Sequence, residues 1–361
     1  MNGLSPPGRA LLLGAGIAGT TFLLYRLINN HLYWNGKFVY AGKVSSLYIY
    51  PAKSFKGNKV DELECTVRGC KNANNRDRSL LVVDANLDHL FLTARVLLKM
   101  LLLEANVNAD WVLTIRYARD EVRDAVVRVD LRDVVARNDV RRAKKYVHID
   151  IFDRLHENAQ TDGFDCGDEV SEFLTRILDP QCKRQLRLLY FEDRLYTERD
   201  FRSEDWYWNN PVPRLQDHIA YADLAAFMAF TTASVEDLNR RLVAAGESPV
   251  DERYFRPNIV VDGRVAFDED KWLHVRIGET ELVCYKPCTR CIMTTVDPDN
   301  GVKHPKMEPL KLLRTYRSAP CGKLLNKYGK SPIFGVNLAL VVAGRIRVGD
   351  DVFVQYKSTP F

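Results

Sequence analysis

Cysteine is scarce in this chain, with eight residues in 361. A secreted domain held by disulfides would be shorter and far denser in cysteine, so the composition points to reduced thiols in a cytosol-facing protein. Long apolar runs are also lacking. The uncharged stretch Ala10–Tyr25 falls short of the roughly 20 residues that a membrane-spanning helix usually needs. No internal repeat of about 20–50 residues and no low-complexity tract is visible, which argues against solenoids and disordered arrays. Charge of one sign is weak. The 52 Lys and Arg against 47 Asp and Glu leave a formal charge of +5, which does not single out nucleic acid, and no nucleic-acid partner is expected.

What is present suits a folded, strand-rich protein. A hydrophobic content of 46% over this length is ample for two domains and a further segment, and sixteen Tyr with sixteen Phe fit sheets. Residues 1–37 read as a membrane anchor and its flank. Snorkelling of Arg26 and the following Leu27-Ile28 extend the apolar stretch, and Arg26, Lys37 and Lys43 after it favour a cytosolic bulk of the chain. The same stretch holds Gly14-Ala-Gly16-Ile-Ala-Gly19, a formal dinucleotide-binding fingerprint. That motif needs an acidic residue about 20 positions later for the ribose, and none occurs before Asp61. A cleaved secretory signal is the third reading, and the cysteine usage counts against it.

Further along, Val44–Tyr50 reads as a strand ended by Pro51, Lys53–Gly57 as a polar loop, and Val60–Val67 and Leu80–Val83 as strands. Residues 116–145 carry ten Lys or Arg against six Asp or Glu, the pattern of a solvated helix or hairpin. Asp165-Cys-Gly-Asp168 opens a helix with Val170, Phe173, Leu174 and Ile177 on one face, closed by Pro180. Trp206–Pro211 reads as a loop, Phe227–Phe230 as a buried strand, and Ser234 as the N-cap of a helix over 235–242. Val352–Val354 looks like a closing strand. Many short strands with few helices argue for an α+β, β-rich fold with barrel-like sheets.

The run Cys284-Tyr-Lys-Pro-Cys288-Thr-Arg-Cys291 asks for an explanation, because thiolates bind soft metals and do redox chemistry. Its spacing matches a radical iron–sulfur motif, yet only about 70 residues follow it, too few for the barrel that such a motif opens. A zinc site would need a fourth ligand such as Cys321 or His304. Buried structural thiols or another metal role complete the alternatives.

Read together with Tyr50-Pro-Ala-Lys-Ser-Phe-Lys-Gly57, Asp77-Arg78, Thr93-Ala-Arg95, Asp165–Asp168, Phe255-Arg-Pro-Asn258, Cys288-Thr-Arg-Cys291 and Lys330–Gly335, the chain resembles the MOSC-domain family, and within it the amidoxime-reducing components of the outer mitochondrial membrane. The ordered set runs from residue 44 to the C-terminus, and Arg-Pro-Asn with Cys-x-Arg-Cys is its most specific pair. The resemblance implies an N-terminal anchor helix (1–37), a MOSC N-terminal β-barrel domain (38–192) and a MOSC β-barrel domain (193–361). It implies a molybdopterin cofactor whose molybdenum takes the Cys291 thiolate, with Lys53, Ser54, Arg78, Arg256, Asn258, Thr289 and Arg290 as further cofactor contacts. Asp297 is read as a turn residue ahead of Pro298, with proton donation near the metal as its other role. The implied activity is reduction of N-hydroxylated compounds, amidoximes among them, with electrons from NADH through cytochrome b5 reductase and cytochrome b5. The implied location is the outer mitochondrial membrane, catalytic part facing the cytosol. A non-catalytic module that binds or delivers the cofactor is the alternative, and a cofactor sulfurase or radical iron–sulfur protein ranks below it. The chain departs from the family pattern at Phe55, at Val96–Lys99, through 116–145 and at Asn337.

Overall fold

Strand Val39–Ile49 organises the larger sheet. It pairs antiparallel with Asp351–Tyr356 and then Asn58–Val60 along one edge, and with Ile259–Asp262 along the other. The sheet runs in the order 259–262, 227–231, 333–342, 280–289, 272–277, 351–356, 39–49, 58–60, and the pairing of 39–49 with 259–262 closes it into a barrel. The computed structural model describes residues 36–117, 125–144, 160–198, 200–202, 216–320, 322–357 and 360. The expected anchor through residue 35 and the Trp206–Pro211 loop lie outside the described residues. Among the described residues no helix is long and apolar enough to cross a membrane.

β-branched and aromatic side chains make 39–49 a strand, and Val44, Leu47 and Ile49 face the barrel core beside Trp272, Ile346 and Val354. Bulges at Tyr40/Gly42 and Val44/Ser46 bend it around the barrel. Gly42 is required there. Its φ is +144°, and a Cβ would lie 2.1 Å from the Asp262 carbonyl oxygen.

A second, five-stranded barrel closes through Val140–Lys144, Gln160–Asp165, Leu186–Tyr190, Leu80–Asp84 and Leu90–Phe91. Helix Asp168–Leu178 packs on it by Val170, Phe173, Leu174 and Ile177, the four positions that the helical periodicity selects. Three smaller sheets, 103–107 with 112–117 and 126–130, 344–347 with 62–66, 69–72 and 75–76, and 200–202 with 216–218, complete the described β-rich architecture. The α+β, barrel-like expectation thus agrees with the fold.

Two local expectations change, and a third gains detail. The strand expected over 60–67 breaks at Asp61 into Asn58–Val60 and Glu62–Thr66, which join different sheets. Ser234 lies inside helix Thr232–Ala244, whose N-cap is Thr231; its hydroxyl serves the buried Glu269 carboxylate instead, at 2.8 Å. The described part of 116–145 is a hairpin, a short helix (Leu131–Arg137) and a strand, and several of its cations are paired, Arg132 with Asp130, Arg141 with Asp139 and Arg142 with Asp162.

Candidate active site

The first barrel strand ends at Tyr50-Pro51 and turns through 52–57, the segment that reads as a polar loop. The structure buries it. Phe55 is enclosed in the core shared with Leu80 and Val82, which anchors the turn from below. Lys53 is buried and fully engaged. Its backbone N–H donates to the Leu80 carbonyl at 2.8 Å, and its ammonium reaches the Tyr221 carbonyl at 2.8 Å and Asp223 at 2.5 Å.

Arg78 and Arg256 converge on Tyr50. The guanidinium carbons lie 4.7 and 4.3 Å from the ring centroid, within cation–π range. Arg78 pairs with Asp77, and Arg256 donates from Nη1 to the Phe55 carbonyl at 2.7 Å. Ser54, Arg78 and Arg256 all adopt left-handed backbone, with φ of 67°, 50° and 54°. Each such residue costs on the order of 1–3 kcal/mol, so the two on one ring, with a third in the adjoining turn, mark a place where the fold holds backbone strain. Arg256 Nη2 and the Tyr50 hydroxyl are buried without a hydrogen-bond partner. Burial, with the neighbouring Arg78, pulls Arg256 down to about 10. A buried cation with an unused donor is a receptor for an anion.

A narrow cleft opens beside this cluster, lined by Tyr50, Gly57, Arg253, Arg256, Met293 and Val296 with others. Met293 in its lining follows Cys291 by two residues. Strand Thr280–Thr289 ends just before Arg290, and Cys291 is the N-cap of the short turn Ile292–Thr295. The Cys291 thiol is half-buried, and Arg95 Nη2 donates to its sulfur at 3.4 Å.

Arg290 does not face that sulfur. Its buried guanidinium donates to the carbonyls of Phe334 and Phe255, the latter at 2.9 Å, and so ties the Cys291 segment to the residue before Arg256. Asn258 is likewise turned inward. Its Nδ2 donates to the Tyr48 carbonyl at 3.3 Å and Asp77 at 3.1 Å, while Oδ1 accepts from the Met228 N–H at 3.2 Å. Both side chains position the site rather than open onto the cleft. Thr289 is half-buried at the strand end, paired with Ile333.

The structure therefore brings Arg78 and Arg256 together on Tyr50, leaves the Lys53 ammonium on Tyr221 and Asp223, and ties the Cys291 segment to Phe255, next to Arg256, through Arg290. The three clustered cysteines do not converge. Cys284 is in the large-barrel core with Leu282 and Val354, Cys288 is in a separate cluster with Phe230 and Phe334, and only Cys291 is partly open. This arrangement argues against an iron–sulfur cluster on the triplet. Among the described residues no three His, Cys, Asp or Glu side chains gather as a metal site, and Cys321 lies outside them. Asp297 caps its own turn, accepting from the Asp299 N–H at 2.8 Å.

Arg95 was not singled out by sequence reasoning as a site residue. Its only signal was membership of Thr93-Ala-Arg95, because an exposed arginine in a loop carries no periodicity that marks it.

Residues 41–181 match the MOSC N-terminal beta barrel domain, and residues 216–353 match the MOSC domain. The chain is 36% identical over 314 residues to mitochondrial amidoxime-reducing component 1 of Homo sapiens, covering 87% of this chain and 83% of the human protein. Mitochondrial amidoxime reducing component 2 of Bos taurus is 35% identical, covering 86% and 83% of the two chains. Component 1 of Danio rerio is 33% identical, covering 93% and 92%. Two domain matches in order, and relatives aligned over most of both chains, place this chain in the MOSC-domain family that includes the mitochondrial amidoxime-reducing components.

Proposed function

We propose that the chain is a molybdenum-cofactor oxidoreductase that reduces N-hydroxylated compounds, amidoximes among them. Its electrons come from NADH through cytochrome b5 reductase and cytochrome b5. On this reading the apolar stretch after Arg9 tethers it to the outer mitochondrial membrane with the barrels in the cytosol. The observation that carries the reading is the partly open Cys291 sulfur, held by Arg95 on the turn whose Met293 and Val296 line a cleft with Arg256.

The residues present suit a phosphorylated molybdopterin. Its terminal phosphate needs cationic donors, and Arg256, with a buried Nη2 lacking a partner, supplies one beside Arg78. A soft metal needs a sulfur ligand, and Cys291 is the partly open member of the triplet. When bound, the cofactor supplies reversible two-electron chemistry at a metal held by sulfur. Cys291 would hold the metal, Arg95 would hold the sulfur in place, and Arg290 would fix the segment between them and the cationic cluster. The strained turns at Ser54, Arg78 and Arg256 keep the cations preorganised. Replacing the N–O bond of the substrate by N–H consumes two electrons and two protons and releases water.

The test is metal and pterin analysis of the full-length chain beside Cys291→Ser, followed by turnover of an aryl amidoxime with reduced cytochrome b5. Near-stoichiometric molybdenum and pterin in the wild type, with turnover abolished in the variant, is expected. Iron with sulfide, zinc, or no metal from a host able to make the cofactor would overturn the proposal. Full cofactor occupancy without turnover would favour a binding or delivery module.

A further inference from the structure

Cys65 and Cys70 face each other across the hairpin formed by Glu62–Thr66 and Gly69–Asn72. Strand 69–72 lies between 62–66 and 75–76, and the Cys70 carbonyl accepts from the Asp77 N–H at 2.9 Å on the side away from Cys65. A strand residue presents its N–H and C=O to the same neighbour. Cys65 and Cys70 are therefore a non-hydrogen-bonded antiparallel pair, the closer kind, with Cα atoms roughly 4.5 Å apart. Disulfides accept Cα separations of about 4.4–6.8 Å, so the backbone already meets the requirement. Both side chains lie on one face, in the same core cluster with Leu63, Leu282 and Ile346, and both thiols are free.

The pair touches the machinery around Arg78. Asn258 Nδ2 donates to Cys70 Sγ at 3.4 Å and to Asp77, which pairs with Arg78. We propose that Cys65 and Cys70 form a redox modification site, a cross-strand dithiol that closes to a disulfide under hydrogen peroxide or a small disulfide oxidant. Two S–H bonds break and one S–S bond forms, releasing two electrons and two protons; these reduce peroxide to two waters, or the disulfide oxidant to two thiols. Closure draws the Cys70 sulfur toward Cys65 and away from Asn258. Burial pushes Cys65 up to about 12 and Cys70 well above its ordinary value, so thiolate is rare and the site answers sustained oxidation rather than a brief pulse.

The experiment treats the folded full-length chain with hydrogen peroxide or with glutathione disulfide, then denatures, blocks remaining thiols with N-ethylmaleimide and digests with trypsin. Cleavage after Arg68 separates the two cysteines, so the product is the tripeptide Gly69-Cys70-Lys71 joined to Val60–Arg68, lighter than the two free peptides by two hydrogens. Appearance of this species while Cys284 and Cys288 still take the blocking reagent is the expected result. Its loss in Cys70→Ala and separately in Cys65→Ala confirms the assignment. Cys65 and Cys70 remaining fully alkylated after the exposed Cys182 has been oxidised would overturn the proposal, as would Cys70 joined to another cysteine instead.

Discussion

Arg95 and Glu269 show two opposite uses of a charged side chain. Arg95 is exposed, so its replacement removes little packing, while its donation to Cys291 sulfur is lost entirely. Arg95→Ala should lower molybdenum retention or turnover roughly tenfold, the worth of one hydrogen bond from a charged donor. Its melting temperature should stay within about 1 °C of the wild type. A lower melting temperature with full metal retention would assign Arg95 to structure alone. Glu269 is fully buried, receiving Ser234 Oγ at 2.8 Å and Thr231 Oγ1 at 3.0 Å. Asp270 is its neighbour and pairs with Arg317, and Asp268, Lys357, Cys284 and Arg290 also act on these two carboxyls. Burial first, then Asp270, raises Glu269 to about 7. A carboxyl raised on folding binds its proton more tightly in the native state. Stability from this group is present at low pH and falls as pH rises from its unfolded value near 4.5 through about 7. Urea titrations between about pH 5 and 8 should show the wild type losing stability relative to Glu269→Gln; parallel pH profiles would refute this. At this scale the residue types were legible and their surroundings were not. Lys53, Arg78 and Arg256 stand out as cations next to strands. Nothing in a serine or arginine announces a left-handed backbone, however, and nothing in Asn258 or Arg290 tells that groups distant in sequence, Asp77 and the Tyr48 carbonyl for one and the Phe255 and Phe334 carbonyls for the other, take up its donors.

Elements carry these residues through turns, and the turn over 52–57 is the critical one. Gly57 lies against Tyr50, and a Cβ there would come 2.3 Å from the ring edge. Because Tyr50 supports both Arg78 and Arg256, Gly57→Ala should shift the ring and disturb the cationic cluster as well as packing. The expected cost is about 1–3 kcal/mol of stability, with weakened binding of inorganic phosphate or of the cofactor. Wild-type stability together with wild-type ligand retention in Gly57→Ala would show that the turn relaxes freely. Helix Asp168–Leu178 was legible because its apolar residues recur with the helical period and Pro180 stops it. The N-cap of Thr232–Ala244 was misassigned because Thr231, Thr232 and Ser234 are all capping types, and the buried carboxylate that claims Ser234 is 35 residues away. The 52–57 turn reads as solvated from its lysines and serine; Phe55 alone hints that it is buried.

At the scale of the molecule, closure of the larger barrel depends on a strand from the start of the described chain. The register Lys43↔Asp262 joins residues more than 200 positions apart, which no local pattern encodes, so barrel-like sheets could be inferred while this closure could not. Strand 39–49 covers the edge of 351–356 and of 259–262 at once, and its Val44, Leu47 and Ile49 fill the core between them. Removing it would expose two unpaired strand edges and an apolar barrel interior, a combination that favours aggregation over folding. A chain beginning at Gly36 retains the strand and the described cores, so it should unfold cooperatively in urea with near wild-type stability. A chain beginning at Pro51 should be insoluble or lack a cooperative transition, although it keeps every other strand. On the anchor reading, the Gly36 chain should also lose the sedimentation with phospholipid vesicles that the full chain shows. Cooperative, wild-type-like unfolding of the Pro51 chain would mean that 39–49 decorates the barrel rather than closing it.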